Sequence, residues 1–178
     1  MSVTDLAYPI GRFQMPEVIG ESVLNACVAD IEVAAVSLRR AVAGLDERQL
    51  DTPYRPGGWS VRQVVHHVPD SHLNAYLRFK FALTEDEPTI RPYDEKLWAE
   101  LPEAKTGPVQ LSLDLLESLH SRWVACIRAL QPASLDRTFR HPELGVMSIK
   151  EQLALYAWHG RHHVAQIVSL RARQAWTI

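Results

Sequence analysis

The chain has 178 residues, 47% of them hydrophobic and 22% charged, which is enough for one compact domain (1–178) with a sizeable core. A formal charge of −2 and a pI near 6.4 give no electrostatic basis for binding nucleic acid or an anionic membrane. No run reaches the ~18 apolar residues of a membrane span, and residues 1–10 carry neither the basic start nor the apolar core of a secretory signal. Two cysteines, Cys27 and Cys126, fall in different predicted helices without C-x-x-C spacing, so the chain reads as a reduced, cytoplasmic protein with two buried structural thiols.

Residues 1–20 contain Tyr8-Pro9-Ile10-Gly11 and Met15-Pro16, which break regular structure; an extended arm is expected, packing Tyr8, Ile10 and Phe13 on the body. Leu24, Val28, Ile31 and Ala35 recur at helical spacing and predict a first helix over 21–43, ended by Gly44. A connection follows, rich in Pro and Gly. Ser60-Val61-Arg62-Gln63 then forms a capping box that opens a second helix with Val61, Val64, Val65, Val68, Ala75, Tyr76, Phe79 and Leu83 on one side. Pro69 lies inside this helix, where it removes a donor to the Val65 carbonyl at a cost of ~3 kcal/mol, so a kink is expected two residues after His67. Residues 84–110 form a long connection with a short helix over 95–101, long enough to cross the bundle and set the third helix parallel to the second. Leu113, Leu116, Leu119, Trp123, Ile127 and Leu130 mark the third helix, which Pro132 ends. A hairpin is expected from Thr138 to His141 and at Val146-Met147. A second capping box, Ser148 to Glu151, starts a fourth helix that runs to about Arg173.

Four amphipathic helices with one long crossover between the second and third describe an all-α four-helix bundle. Such bundles build metal sites from side chains on facing helices. The segment Trp158-His159-Gly160-Arg161-His162-His163 is the leading candidate. His159 and His163, four apart, sit about 40° from each other on one helix face, and two imidazoles so placed can share one ion. His162 points about 100° away from His163, outside the apolar stripe, and is expected at the surface. A third ring must come from another helix. On the second helix, periodicity places His72 within the apolar stripe, His67 about 110° from its centre and His66 opposite the core, so the spacing favours His72, then His67.

Several blocks resemble the YfiT-type metal-dependent hydrolases of the DinB-like superfamily. They are Tyr8-Pro9-Ile10-Gly11, Asp51 to Arg55 and Gly58 to His67, Asp70-Ser71-His72, Ile90 to Lys96, and Tyr156 to His159 with His162-His163. The likeness spans essentially the whole chain, in order. It implies a DinB-like four-helix bundle, a homodimer, and one divalent metal ion per chain, zinc or nickel, held by His67, His159 and His163. Pro69 and Gly160-Arg161 depart from the family pattern.

Three neutral imidazoles leave coordination positions open, and an open site can lower the pKa of bound water to about 7 or polarise a carbonyl. The expected activity is therefore metal-dependent hydrolysis of a small molecule. The superfamily also implies an alternative, a transferase in which a low-molecular-weight thiol takes the open position; a third reading is a metal-binding structural or stress protein without turnover. The last would have a closed site, with His72 as a fourth ligand. Asp70 and Tyr156 are candidates for proton transfer. Asp70 could instead accept from a ligand ring or be an ordinary solvated carboxylate, and His66 is expected to be exposed. Trp158 and Trp123 read as core; Arg91, Tyr93 and Asp94 could line the mouth or anchor the long connection. No serine-nucleophile, phosphate-loop or dinucleotide-binding signature is present.

Overall fold

The computed structural model describes residues 5–177, so the first four residues of the expected arm lie outside the description. Seven helices and one hairpin follow in order: α1 (Glu21–Val42), α2 (Glu47–Leu50), α3 (Val61–Thr84), α4 (Glu95–Ala99), α5 (Pro102–Thr106), α6 (Val109–Arg128), β1 (Thr138–His141), β2 (Gly145–Ser148) and α7 (Ile149–Arg173), with a 3-10 turn over Pro132–Asp136. The long helices α1, α3, α6 and α7 are the four that hydrophobic periodicity predicts. The capping boxes at Ser60/Gln63 and Ser148/Glu151 both form, each serine accepting from a backbone N–H while the residue three on reaches back. The short helices α2 and α5 were not expected. Asp46 and Gln49 form a capping box at α2, and Pro102 occupies the first turn of α5, where its missing N–H costs nothing.

Contacts along the helices fix their directions. His66 lies beside Ser112, His72 beside His120 and Phe79 against Trp123, so α3 and α6 run parallel, as the long connection allows. Arg39 pairs with Asp114 and Glu117, and Glu32 with Arg128, so α1 and α6 are antiparallel. Asp30 faces Arg161, and the Ala41 carbonyl accepts from Arg171, so α1 and α7 are parallel. Each long helix thus packs on two others, with α1 and α3 on one diagonal and α6 and α7 on the other. The hairpin is pinned to the crossover, Ile90 and Arg140 exchanging backbone bonds with Arg140 and Pro88. That contact carries His141 over the bundle.

Gly160 of α7 faces Ala34 of α1. A Cβ there would lie 3.1 Å from the Ala34 Cβ, which explains a helix-weakening glycine between two candidate ligands. Pro69 is buried within α3, which continues unbroken past it to Thr84. Three expectations about exposure change. Ile10 does not pack on the body but is 45% exposed, while Tyr8 and Phe13 do pack. Cys126 is only half-buried, though both thiols are free as expected. His66 and His162 are buried, not at the surface, because neighbouring segments cover them: the α5–α6 junction over His66, and the N-terminal arm over His162.

The core has two apolar parts. One is built around Ile31, Phe79, Trp123 and Leu153; the other around Leu38, Val64, Leu116 and Ile167. The buried histidines lie at the level between them.

Candidate metal centre

His159 and His163 come from successive turns of α7, and His67 comes from the facing turn of antiparallel α3. The His67 and His159 Nε2 atoms are 3.3 Å apart, and those of His163 and His159 3.2 Å apart. All three ligand atoms fall within 4.8 Å of one another. Two ligands of a tetrahedral ion with bonds of about 2.0–2.1 Å are separated by about 3.3 Å, which the two separations from His159 match, so the donor set suits a single divalent ion. The three rings are the set implied by the resemblance. Periodicity alone ranks His72 above His67, and the structure brings His67 to the cluster.

His72 has a different task. Its Nε2 lies 3.2 Å from His159 Nδ1, and its Nδ1 lies 2.9 Å from His120 Nε2. Were His159 Nε2 to hold an ion, its proton would sit on Nδ1 and be donated to His72. His72 would then be protonated on Nδ1 and donate to His120, whose proton would fall on Nδ1. One coordination bond would thus set the tautomers of three rings. His120 Nδ1 has no partner of good geometry, and the Ile31 backbone beside it partly offsets the effect of burial. His163 is held likewise: its Nδ1 lies 2.9 Å from Gln166 Oε1, and the Gln166 amide donates to the Ala7 carbonyl at 3.0 Å and to His162 Nε2 at 3.0 Å. His162 stacks on Trp158, which is half-buried, and lies against Tyr8. His67 packs against Trp59, with ring centroids 4.8 Å apart.

A family model described as the DinB superfamily matches residues 31–167. The chain belongs to the DinB superfamily. It is 55% identical to a protein of Bacillus mycoides named a putative metal-dependent hydrolase, over 97% of this chain and 99% of that one. A Bacillus cereus protein of the same name is 53% identical over 98% of this chain and 100% of its own length. The solved structure of YfiT from Bacillus subtilis, described as a probable metal-dependent hydrolase with an unusual four-helix bundle topology, superposes with a TM-score of 0.94 at 46% identity. That match covers 97% of this chain and 99% of the other.

In this DinB-superfamily chain all eight histidines are shifted below their ordinary pKa, burial being the first cause in each. His67, His120 and His162 fall to about 4. His72, His159 and His163 are lowered well below the usual value, by burial first and then by neighbouring histidines. Neutral rings are what a cation requires of its ligands.

The three ligand rings line one cavity of about 330 Å³, together with Trp59, Ser71, Arg78, Pro92, Tyr93, Glu95, His141 and Glu143. Asp70 and Tyr156 do not line it. Asp70 sits near Glu103 of α5, and burial, then that neighbour, raises its carboxyl to about 6. The Tyr156 ring stands behind the ligands, 5.0 Å from His72 and 5.6 Å from His159. Trp123 is core, as expected. Tyr93 lines the mouth; Arg91 faces a neighbouring cavity, and Asp94 caps α4 by accepting from Lys96 and Leu97 N–H. Sequence reading missed Trp59, Arg78, Glu95, His141 and Glu143 as cavity residues, and Gln166 and His120 as supports. Two of these carry a legible signal: Gln166 follows His163 by three residues, and Arg78 follows His67 by eleven, both returning to the same helix face.

Proposed function

We propose that this chain is a hydrolase that holds one divalent ion, zinc or nickel, on His67, His159 and His163 and cleaves a small molecule in the adjoining cavity. The observation that carries the reading is the convergence of three imidazoles on the wall of that cavity, the His67 and His163 Nε2 atoms lying 3.3 and 3.2 Å from that of His159 and all three donor atoms within 4.8 Å of one another. When bound, such an ion supplies Lewis acidity and brings the pKa of a coordinated water near 7. The protein's part is to hold the three rings neutral and oriented, through Gln166 and His72, and to keep the open side facing the cavity. Glu95 lines both this cavity and a second one of about 420 Å³ that also touches His163. It is the carboxylate proposed to take the proton from the attacking water. Asp70 and Tyr156, expected from their nearness in sequence to the ligands, do not line the cavity, Tyr156 standing against His72 and His159 and Asp70 near Glu103.

A closed, non-catalytic site would need His72 as a fourth ligand, but the His72 Nε2 is engaged by His159 Nδ1. Elemental analysis and X-ray absorption test the proposal. About one metal ion per chain with nitrogen and oxygen ligands, lost in His67→Ala, His159→Ala and His163→Ala alike, is expected. Full metal content in any of the three variants would refute the ligand set. A sulfur ligand gained on adding a small thiol would replace hydrolysis with thiol transfer.

A further inference from the structure

Three arginines are buried among the described residues: Arg62, Arg78 and Arg171. Arg62 pairs with Glu47 and Asp51. Arg171 leaves its Nε without a partner, but both of its terminal nitrogens donate to carbonyls, those of Ala41, Ala43 and Thr177. Arg78 is 9% exposed, yet no carboxylate among the described residues lies within ion-pair distance of it, and its Nε is buried without a hydrogen-bond partner. An unpaired buried guanidinium opposes folding unless something compensates it. This one lines the same cavity as the three ligand histidines.

The setting is built for an acceptor. His141 Nδ1 accepts from the Glu143 and Leu144 backbone N–H groups, which leaves the His141 proton on Nε2 as a donor. His141, Tyr93 and Ser71 line the cavity with Arg78. His67 and Arg78 share a face of α3, eleven residues or about 16 Å apart along the axis, and the arginine side chain leans towards the helix N-terminus, so towards the ligands. The guanidinium fork matches a planar oxyanion through two parallel bonds. One such cation, with the exposed carboxylates of Glu95 and Glu143 at the rim, suits a monoanion better than a phosphate dianion.

We propose that Arg78 is the anchor for a carboxylate on the substrate, holding the molecule by its charged end while the reacting bond lies several atoms away at the three histidines. The identity of the substrate as a carboxylic acid rests on the hydrolase reading; the anion site itself does not.

The test uses the metal-loaded protein. Its Arg78 Nε–H resonance is followed by NMR during titration with benzoate, with the neutral isostere benzamide and with inorganic phosphate. The expected result is a saturable shift with benzoate, at least tenfold weaker response to benzamide and to phosphate, and loss of benzoate binding in Arg78→Met at unchanged metal content. Equal responses to benzoate and benzamide, or tighter binding of phosphate, would overturn the assignment, as would benzoate binding undiminished in Arg78→Met. Should that variant not fold, the wild-type titration decides alone. Turnover is compared in parallel on mono-(4-nitrophenyl) glutarate and 4-nitrophenyl butyrate. A preference of at least tenfold in kcat/KM for the anionic ester, carried by KM and lost in Arg78→Met, is expected. Benzoate binding at Arg78 with no cleavage of either ester upholds the anion site and refutes the hydrolase. Cleavage of both esters equally, with no benzoate shift, does the reverse.

Discussion

Replacing His72 by phenylalanine removes the centre of the His159–His72–His120 chain while keeping a flat ring in a fully buried position. With a metal ion on His159 Nε2, His72 would accept at Nε2 from His159 Nδ1, 3.2 Å away, and donate from Nδ1 to His120 Nε2, 2.9 Å away. The variant leaves one buried donor and one buried acceptor unpaired, each costing about 1–3 kcal/mol. It also frees His159 to rotate or to change tautomer. Loss of a partner behind a ligand typically lowers metal affinity by about 10–100-fold, or about 1.4–2.7 kcal/mol. Competition with a chromophoric chelator measures the affinity, and imidazole 15N shifts report the His159 tautomer. The expected outcome is a weaker ion and a His159 ring no longer protonated solely at Nδ1. His72→Gln restores most of the affinity, since its amide offers an acceptor to His159 and a donor to His120. Wild-type affinity and an unchanged His159 tautomer in His72→Phe would show that packing alone holds the ring, and the relay argument would be wrong.

Gln166→Leu deprives His163 Nδ1 of its acceptor and the arm of its bond at Ala7, so metal affinity is expected to fall about tenfold and proteolysis near residue 10 to speed up; an intact arm with normal affinity would contradict this. For the metal-free protein the histidines set the acid limit. Each is lowered in the folded state, so the unfolded chain takes up more protons as pH falls below about 6.5, and stability present above that value is lost through about pH 4. Denaturant melts between pH 7.5 and 5 should show a loss of up to about 1.4 kcal/mol per pH unit for each histidine involved; a flat profile would refute it. Asp70 has the opposite sign. Its carboxyl, raised to about 6, opposes folding when ionised, so Asp70→Asn should raise Tm at pH 8 and leave it unchanged at pH 4. Gly160→Leu should separate α1 from α7 at Ala34 and destabilise the fold by about 1–3 kcal/mol, read by thermal melting; wild-type Tm would show that the helices can part freely.

The sequence by itself determined the four long helices, because periodicity and capping are local properties of ten to twenty residues. It also determined the hairpin, at Thr138–His141 and around Val146-Met147, whose second strand extends over Gly145–Ser148 in the structure, and the four-residue spacing of His159 and His163. It could place His67 only by resemblance: angles on one helix say which way a ring points, not what stands opposite. The tertiary structure decided that His67 faces α7, within reach of His159, and that the His72 Nε2 lies against His159 Nδ1. It buried His66 and His162 under segments distant in sequence. Arg78 shows why the remainder was hidden. Nothing local distinguishes a paired buried arginine from an unpaired one; the difference depends on whether a carboxylate from another part of the chain arrives within reach. For Arg62 two do, for Arg78 none among the described residues does, and only the packing of the helices and the hairpin makes that so.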